Sequence, residues 1–245
     1  MSKLSTGSKI IDSLLDGGLE PGIITTLFGP ASSGKSNIAM LAAINAAEQG
    51  KKVLFIDTEG SFSAERVKQL NKNYEILLKN IVIANPTNFV EQKNYFKKLM
   101  DAANHEKAGL IVVDSIVMLY RLQKAEEDIS TTNQELASQL AILSEVARKK
   151  QIPVLVTNQV YADFRKTENR GPKTENSFRM VGGDLLKYWS KCIVKLEALD
   201  AGVRRASIYK HRSLPEGKLV HFEIKEQGLE EAQEPKQEKK GFRLF

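Results

Sequence analysis

Gly29-Pro30-Ala31-Ser32-Ser33-Gly34-Lys35-Ser36 decides how this chain is read. The stretch fits the phosphate-loop pattern G-x-x-x-x-G-K-[ST], and each fixed position has a chemical reason. Glycines let the backbone curl so that successive N–H groups face one anion-sized hollow. A lysine at Lys35 can reach the β- and γ-phosphates, and the Ser36 hydroxyl can bind Mg²⁺. A helix starting there would turn its positive end toward the phosphates. The flanks agree. Gly22 to Phe28 is β-branched and apolar, as a buried strand should be. Asn37 to Gln49 is rich in alanine and ends at Gly50, which predicts a helix.

Outward from the loop, the pattern alternates. A short helix is expected over Ile10 to Leu15, closed by Asp16-Gly17-Gly18. Strands are expected at Val53–Asp57, Ile81–Ala84, Leu110–Ser115 and Ile152–Thr157. Between them lie helices after Ser63, from Asn88 to about Lys107, and after a Thr132/Glu135 capping box. Such alternation predicts an α/β fold, a mostly parallel sheet with helices on both faces. From Lys191 the style changes. Cys192–Leu196, Val203–Tyr209 and Leu219–Ile224 follow without long helices between them, which predicts an antiparallel C-terminal extension. Residues 1–229 form one core on this reading, and 230–245 a charged, flexible tail that carries Pro235.

The 245 residues, 42% of them hydrophobic, suffice for one large domain. A net charge of +6 fits a polyanionic partner and fits plain solubility equally well. The single cysteine, Cys192, excludes an intrachain disulfide and lies in an apolar strand, where packing explains it better than nucleophilic chemistry. No apolar run approaches the ~20 residues of a membrane span and no secretory signal opens the chain, so a cytoplasmic protein is expected.

Four further places bear on chemistry. Asp114 closes an apolar strand, where a Mg²⁺ carboxylate of such sites belongs. Glu59 follows the strand after the loop helix, at the sheet end where ligands collect, and can orient and deprotonate an attacking water. Gln159 ends another strand and can sense the γ-phosphate. Beyond it, from Arg165 to Lys191, seven cations (Arg165, Lys166, Arg170, Lys173, Arg179, Lys187, Lys191) face three acids (Glu168, Glu175, Asp184), with Phe164, Phe178, Tyr188 and Trp189 interleaved. Cations track a phosphate backbone and aromatics stack on bases; a solvated loop over a partly buried helix fits the same composition.

Leu4-Ser5-Thr6-Gly7, Asp57-Thr58-Glu59-Gly60, Leu110 to Ser115, Thr157-Asn158-Gln159-Val160 and Val181-Gly182-Gly183 stand in the order found in the RecA/RadA recombinase superfamily. The chain resembles that superfamily from about Leu4 to Leu229, and most of all its short archaeal paralogues. The resemblance implies a RecA-like P-loop ATPase core that binds ATP and Mg²⁺. It implies Lys35, Glu59 and Gln159 as catalytic groups and Arg66 over the adenine. Lys210 and Arg212 would be cations offered to a neighbouring subunit's ATP. It further implies a DNA-binding repair and recombination protein with weak hydrolysis, accessory to the main recombinase. Arg165, Lys166, Arg170, Lys173 and Arg179 would contact DNA, single-stranded by preference.

Some departures qualify this. The family's helical DNA-binding domain has no counterpart in these residues. The only Phe-x-x-Ala spelling, Phe28 to Ala31, falls inside the nucleotide loop rather than on an assembly hook. The region between Tyr120 and Asn133, the family's first DNA loop, carries Glu126-Glu127-Asp128, which repels phosphates. A filament-forming strand-exchange enzyme and a KaiC-like regulatory ATPase acting on proteins are the alternatives. The end of the tail, Phe242-Arg243-Leu244-Phe245, reads as a docking motif for a recombinase or another repair protein, or as an unselected terminus.

Overall fold

The strand that feeds the glycine loop, β1 (Ile24–Gly29), is buried along its whole length. It lies between β5 (Val154–Ala162) and β7 (Cys192–Ala198), parallel to both. The structure, a computed structural model, describes residues 2–126, 129–162 and 178–235. Outward from β5 come β4 (Ala108–Asp114), β2 (Lys52–Asp57) and β3 (Ile81–Ala84), all parallel. Outward from β7 come β8 (Arg204–His211), β9 (Leu219–Lys225) and β10 (Gly228–Glu231), each antiparallel to its neighbour. A parallel sheet with an antiparallel extension is therefore what forms.

The apolar runs on β1, β2, β4 and β5 are continuous because both faces are covered. Alternate residues feed two cores. Val53, Phe55, Leu110, Val112 and Leu155 face one, and Leu54, Ile56, Ile111, Val113 and Val156 the other. The first core is roofed by α1 (Lys9–Leu14), α2 (Lys35–Glu48), α3 (Ala64–Leu70) and α4 (Tyr74–Leu78). The second is roofed by α5 (Phe89–Lys97), α6 (Leu99–His105), α7 (Met118–Glu126), α8 (Ile129–Lys150) and α9 (Gly183–Trp189). Helix α2 is apolar on every side, and ten of its residues are buried, as a helix wedged between sheet and neighbours must be.

Several caps form as their residues predict. Ser8, Ser63 and Asn88 accept from the N–H groups of Ile11, Arg66 and Glu91. Asp12 ties the opening Ser5-Thr6 turn down, accepting from Ser5 Oγ (2.5 Å), Thr6 N (2.7 Å) and Thr6 Oγ1 (2.8 Å).

Four expectations need correction. The helix expected from Asn88 to Lys107 is two, broken at Lys98, and the break turns Leu99 and Ala103 into the core against β4 and α8. Thr132 and Glu135 do not open a helix: α8 starts at Ile129, Thr132 is buried within it, and Glu135 pairs with Lys93. Packing of α7 and α5 against α8 overrides the local signal there. Gln159 does not end its strand, because β5 runs on to Ala162 and pairs with β6 (Phe178–Met180). The charged tail begins later, since Glu230 and Glu231 pair with β9.

Candidate nucleotide site

At the carboxyl end of β1 the chain must turn hard beneath β7. A Cβ on Gly29 would lie 2.2 Å from the Leu196 carbonyl oxygen, so only glycine fits. Gly34 has φ +99° and caps α2 without a side-chain hydrogen bond, so the first-turn N–H groups stay available to an anion. Lys35 is 7% exposed; its Nζ donates to Gly29 O (3.0 Å), Pro30 O (2.7 Å) and Ser33 Oγ (3.5 Å). Burial pushes its pKa below the usual lysine value, while Glu59 and Asp114 pull it back up.

The acids are held by an ordered network. Asp114 is buried; one carboxylate oxygen accepts from Thr157 Oγ1 and the other from Ser61 Oγ at 2.7 Å. Glu59 accepts from Ser115 Oγ at 2.7 Å, and Gln159 Nε2 donates to both Glu59 oxygens at 2.9 Å. Arg121 of α7 donates to Gln159 Oε1 at 3.4 Å. Thr58 and Ser115 clamp the ends of β2 and β4: Thr58 Oγ1 donates to Ser115 O (2.8 Å) and accepts from Ser115 N (2.9 Å). The Asp114–Ser115 peptide bond is cis.

Ala31, Ser32, Gly34, Lys35, Ser36, Asn37, Glu59, Gln159, Arg204 and Ile224 line one cleft of about 440 Å³. The fold thus brings together Lys35 and Ser36 at the start of α2, Glu59 just past β2 and Gln159 on β5. Arg66 stands at the rim, where its guanidinium donates to Asn37 Oδ1 (3.2 Å), Gln69 Oε1 (2.9 Å), Glu226 O (2.8 Å) and Lys225 O (2.7 Å).

Lys210 and Arg212 lie at the other end of the sheet, where Lys210 pairs with Ile193 and His211 with Cys192. Lys210 Nζ donates to Ser190 O (3.0 Å) and to Lys187 O, closing the last turn of α9, and Arg212 pairs with Glu20. Arg165, Lys166, Arg170 and Lys173 lie outside the described residues, as do Glu127, Asp128 and Phe242 to Phe245. Arg179 is placed by its backbone alone, opposite Tyr161. Burial pushes the Cys192 thiol up to about 12, which fits packing rather than reactivity.

The sequence reading missed Asp57, Ser61, Ser115 and Arg204. Asp57 is buried and accepts from the N–H groups of Glu59 (3.2 Å), Ser61 (3.0 Å) and Phe62 (2.8 Å), which shapes the turn that presents Glu59. An aspartate opening Asp-Thr-Glu-Gly is the signal for such a turn. Arg204 has no local signal; strand pairing alone brings it to the loop.

A strand, a glycine-rich turn and a helix carrying Lys35 and Ser36, with an acid at the end of β4, one strand beyond β5, define the class of P-loop nucleoside-triphosphate-binding folds. The comparisons narrow this. The Rad51 family profile matches residues 1–232, and the chain belongs to that family. It is 41% identical over 231 residues to the DNA repair and recombination protein RadB of Methanobrevibacter smithii, covering 93% of this chain and 95% of that one. The RadB proteins of Methanocaldococcus jannaschii (41% identity, 90% and 99% coverage) and Thermococcus sibiricus (38%, 95% and 97%) are similar to it as well. A solved structure described as that of the RadB recombinase superposes with a TM-score of 0.78 at 37% identity, over 94% of this chain and 100% of the other. Among the described residues no helix is long and apolar enough to cross a membrane.

Proposed function

We propose that this chain is an ATP-binding, DNA-binding repair and recombination protein with weak ATPase activity, accessory to a main recombinase. The observation that carries it is the Ser115–Glu59–Gln159 network at the mouth of the glycine loop, on the strand that leads into the basic segment. The names of the relatives support the repair role.

Loop N–H groups and Lys35 would hold the β- and γ-phosphates. The donor set suits Mg²⁺, which takes few protein oxygens and keeps phosphate and water for the rest: Ser36 Oγ would hold it directly and Asp114 through a bound water. Mg²⁺ when bound would neutralise charge building across the β- and γ-oxygens. Glu59 would take a proton from the attacking water. Its carboxylate already accepts from Ser115 and from Gln159, so it is oriented but not free to roam, which suits slow turnover. Gln159 would exchange its Glu59 contact for the γ-phosphate and pass the change along β5 to the segment holding Arg165, Lys166 and Arg170.

The test is DNA binding across a salt series with ATP, ADP and no nucleotide. Affinity should depend on the nucleotide and fall with salt. Neutralising Arg165, Lys166 and Arg170 together should lower the log–log salt slope by about 2 on a single strand, at ~0.7 per phosphate contact. Unchanged affinity in the triple variant would sink the proposed DNA contact.

A further inference from the structure

The nucleotide cleft contains a second cation. Arg204 opens β8 and is partly buried, and its side chain lines the cleft with Lys35, Ser36 and Glu59. Its place follows from strand register. β7 pairs with β1 only as far as Phe28 opposite Lys195, then continues through Ala198, roughly 10 Å past the last paired rung. There Ala198 pairs with Arg204, so the tip of the β7–β8 hairpin overhangs the glycine loop. The turn at the tip, Asp200–Gly202, is tight, with Ala201 at φ +56°.

The guanidinium is fixed in place. Nε donates to the carbonyl of Ser32, inside the glycine loop, at 3.2 Å, and Nη1 donates to Gly202 O at 2.6 Å. Both acceptors are neutral. Among the described residues no carboxylate pairs with Arg204, although Glu197 takes Lys195 and Arg205 on the same hairpin. A guanidinium has five N–H donors, and these two bonds leave three. An oriented, uncompensated guanidinium beside an anion-shaped hollow suits phosphate oxygens, which it can meet in pairs.

Resting on the nucleotide-binding reading above, we propose that Arg204 is a polyphosphate-binding cation supplied in cis. The chain then neutralises its nucleotide with Lys35 and Arg204, both its own, and needs no cation from a second copy. Lys210 and Arg212 fit this division, since Lys210 is engaged on Ser190 O roughly 20 Å away along β8 and Arg212, just past the end of that strand, on Glu20.

The test is calorimetric titration of the full chain with Mg-ATP across a salt series, at two protein concentrations, for wild type, Arg204→Gln and Arg204→Lys. Arg204→Gln should weaken binding by about 10–100-fold, the range for a hydrogen-bonded charge. It should also flatten the salt dependence, and Arg204→Lys should restore the salt dependence and only part of the affinity, since an ammonium keeps the charge and loses the paired hydrogen bonds. Wild-type affinity should not change with protein concentration.

If wild type binds ATP and Arg204→Gln binds within twofold of it, this inference falls and the nucleotide reading stands. If Arg204→Lys is as weak as Arg204→Gln, with the wild-type salt slope in both, Arg204 is only a tie between loop and hairpin, and the inference falls too. Affinity that rises with protein concentration would also overturn it. If wild type binds no nucleotide, the earlier reading is what fails. Melting curves identify any variant that is unfolded; Arg204→Met, isosteric in its stem, then replaces Arg204→Gln and must show the same loss.

Discussion

The two ends of the central sheet use the same side-chain types in opposite ways. At the carboxyl end of β1, Lys35 and Arg204 donate to loop carbonyls, and Glu59 is shared between Ser115 and Gln159 around an open cleft. At the amino end, Lys210 closes the last turn of α9 and Arg212 is matched to Glu20. Composition does not distinguish the two ends. Strand direction does, because it leaves helix N-termini and turns at one end and helix C-termini at the other. On the function proposed above, charge collects at the first end for a ligand and at the second for the fold.

The contrast can be broken most forcefully at Lys35. Lys35→Ala should abolish measurable Mg-ATP binding, a loss above ~100-fold by calorimetry, since charged hydrogen bonds to two phosphates go together. Retained affinity would remove the distinction between the ends. Next in size, Glu59→Gln should keep nucleotide affinity and lower turnover by about 10²-fold or more in a phosphate-release assay. Full turnover would reassign the proton acceptor. At the other end, Lys210→Met should leave the ATP titration unchanged and cost stability, about 1–2 kcal/mol, seen as a few degrees in the melting temperature. A loss of ATP turnover without a loss of stability would return Lys210 to the role of a cation offered between subunits.

The smallest effect is a titration. His211 Nδ1 accepts from the N–H groups of Ser213 and Leu214, both at 3.0 Å, so the turn needs the neutral ring. Burial holds its pKa below the usual histidine value, against the pull of Glu20. The folded pKa is then lower than the unfolded one of ~6.5, and the unfolded chain binds more protons below that pH. Stability from this group is present above about pH 6.5 and fades as pH falls through the folded value. Denaturation midpoints measured from pH 8 to pH 5 should show this fall, and His211→Gln should lose it. A midpoint that rises on acidification would contradict the assignment.

Much of the fold and of the site is legible in the sequence. The loop, its strand and its helix are local, so eight consecutive residues carry the inference. Caps at Ser63 and Asn88 are local too, and they form. Thr132 fails as a cap because its surroundings are set by α5 and α7, which arrive from other parts of the chain. Glu59, Gln159 and Asp114 were legible because each closes or follows the apolar run of a parallel strand, and those runs stop at the same end of the sheet. Arg204 was not, since its place depends on where β8 pairs with β7, and nothing within a few residues of it encodes that register. Ser115 was missed for a related reason: its partner, Glu59, is a strand away.

The pressure of the Leu196 carbonyl on Gly29 has a practical corollary. The antiparallel strands resemble an appendix to a complete P-loop core, and a shortened version ending before Lys191 would look self-sufficient on paper. It would lose the wall that gives the first glycine its shape, along with Phe222 and Ile224, which lie within 3.5 Å of where a Gly34 side chain would begin. Any recombinant fragment meant to keep the nucleotide pocket has to extend through Glu231, and fusion partners belong after that residue rather than inside the hairpins.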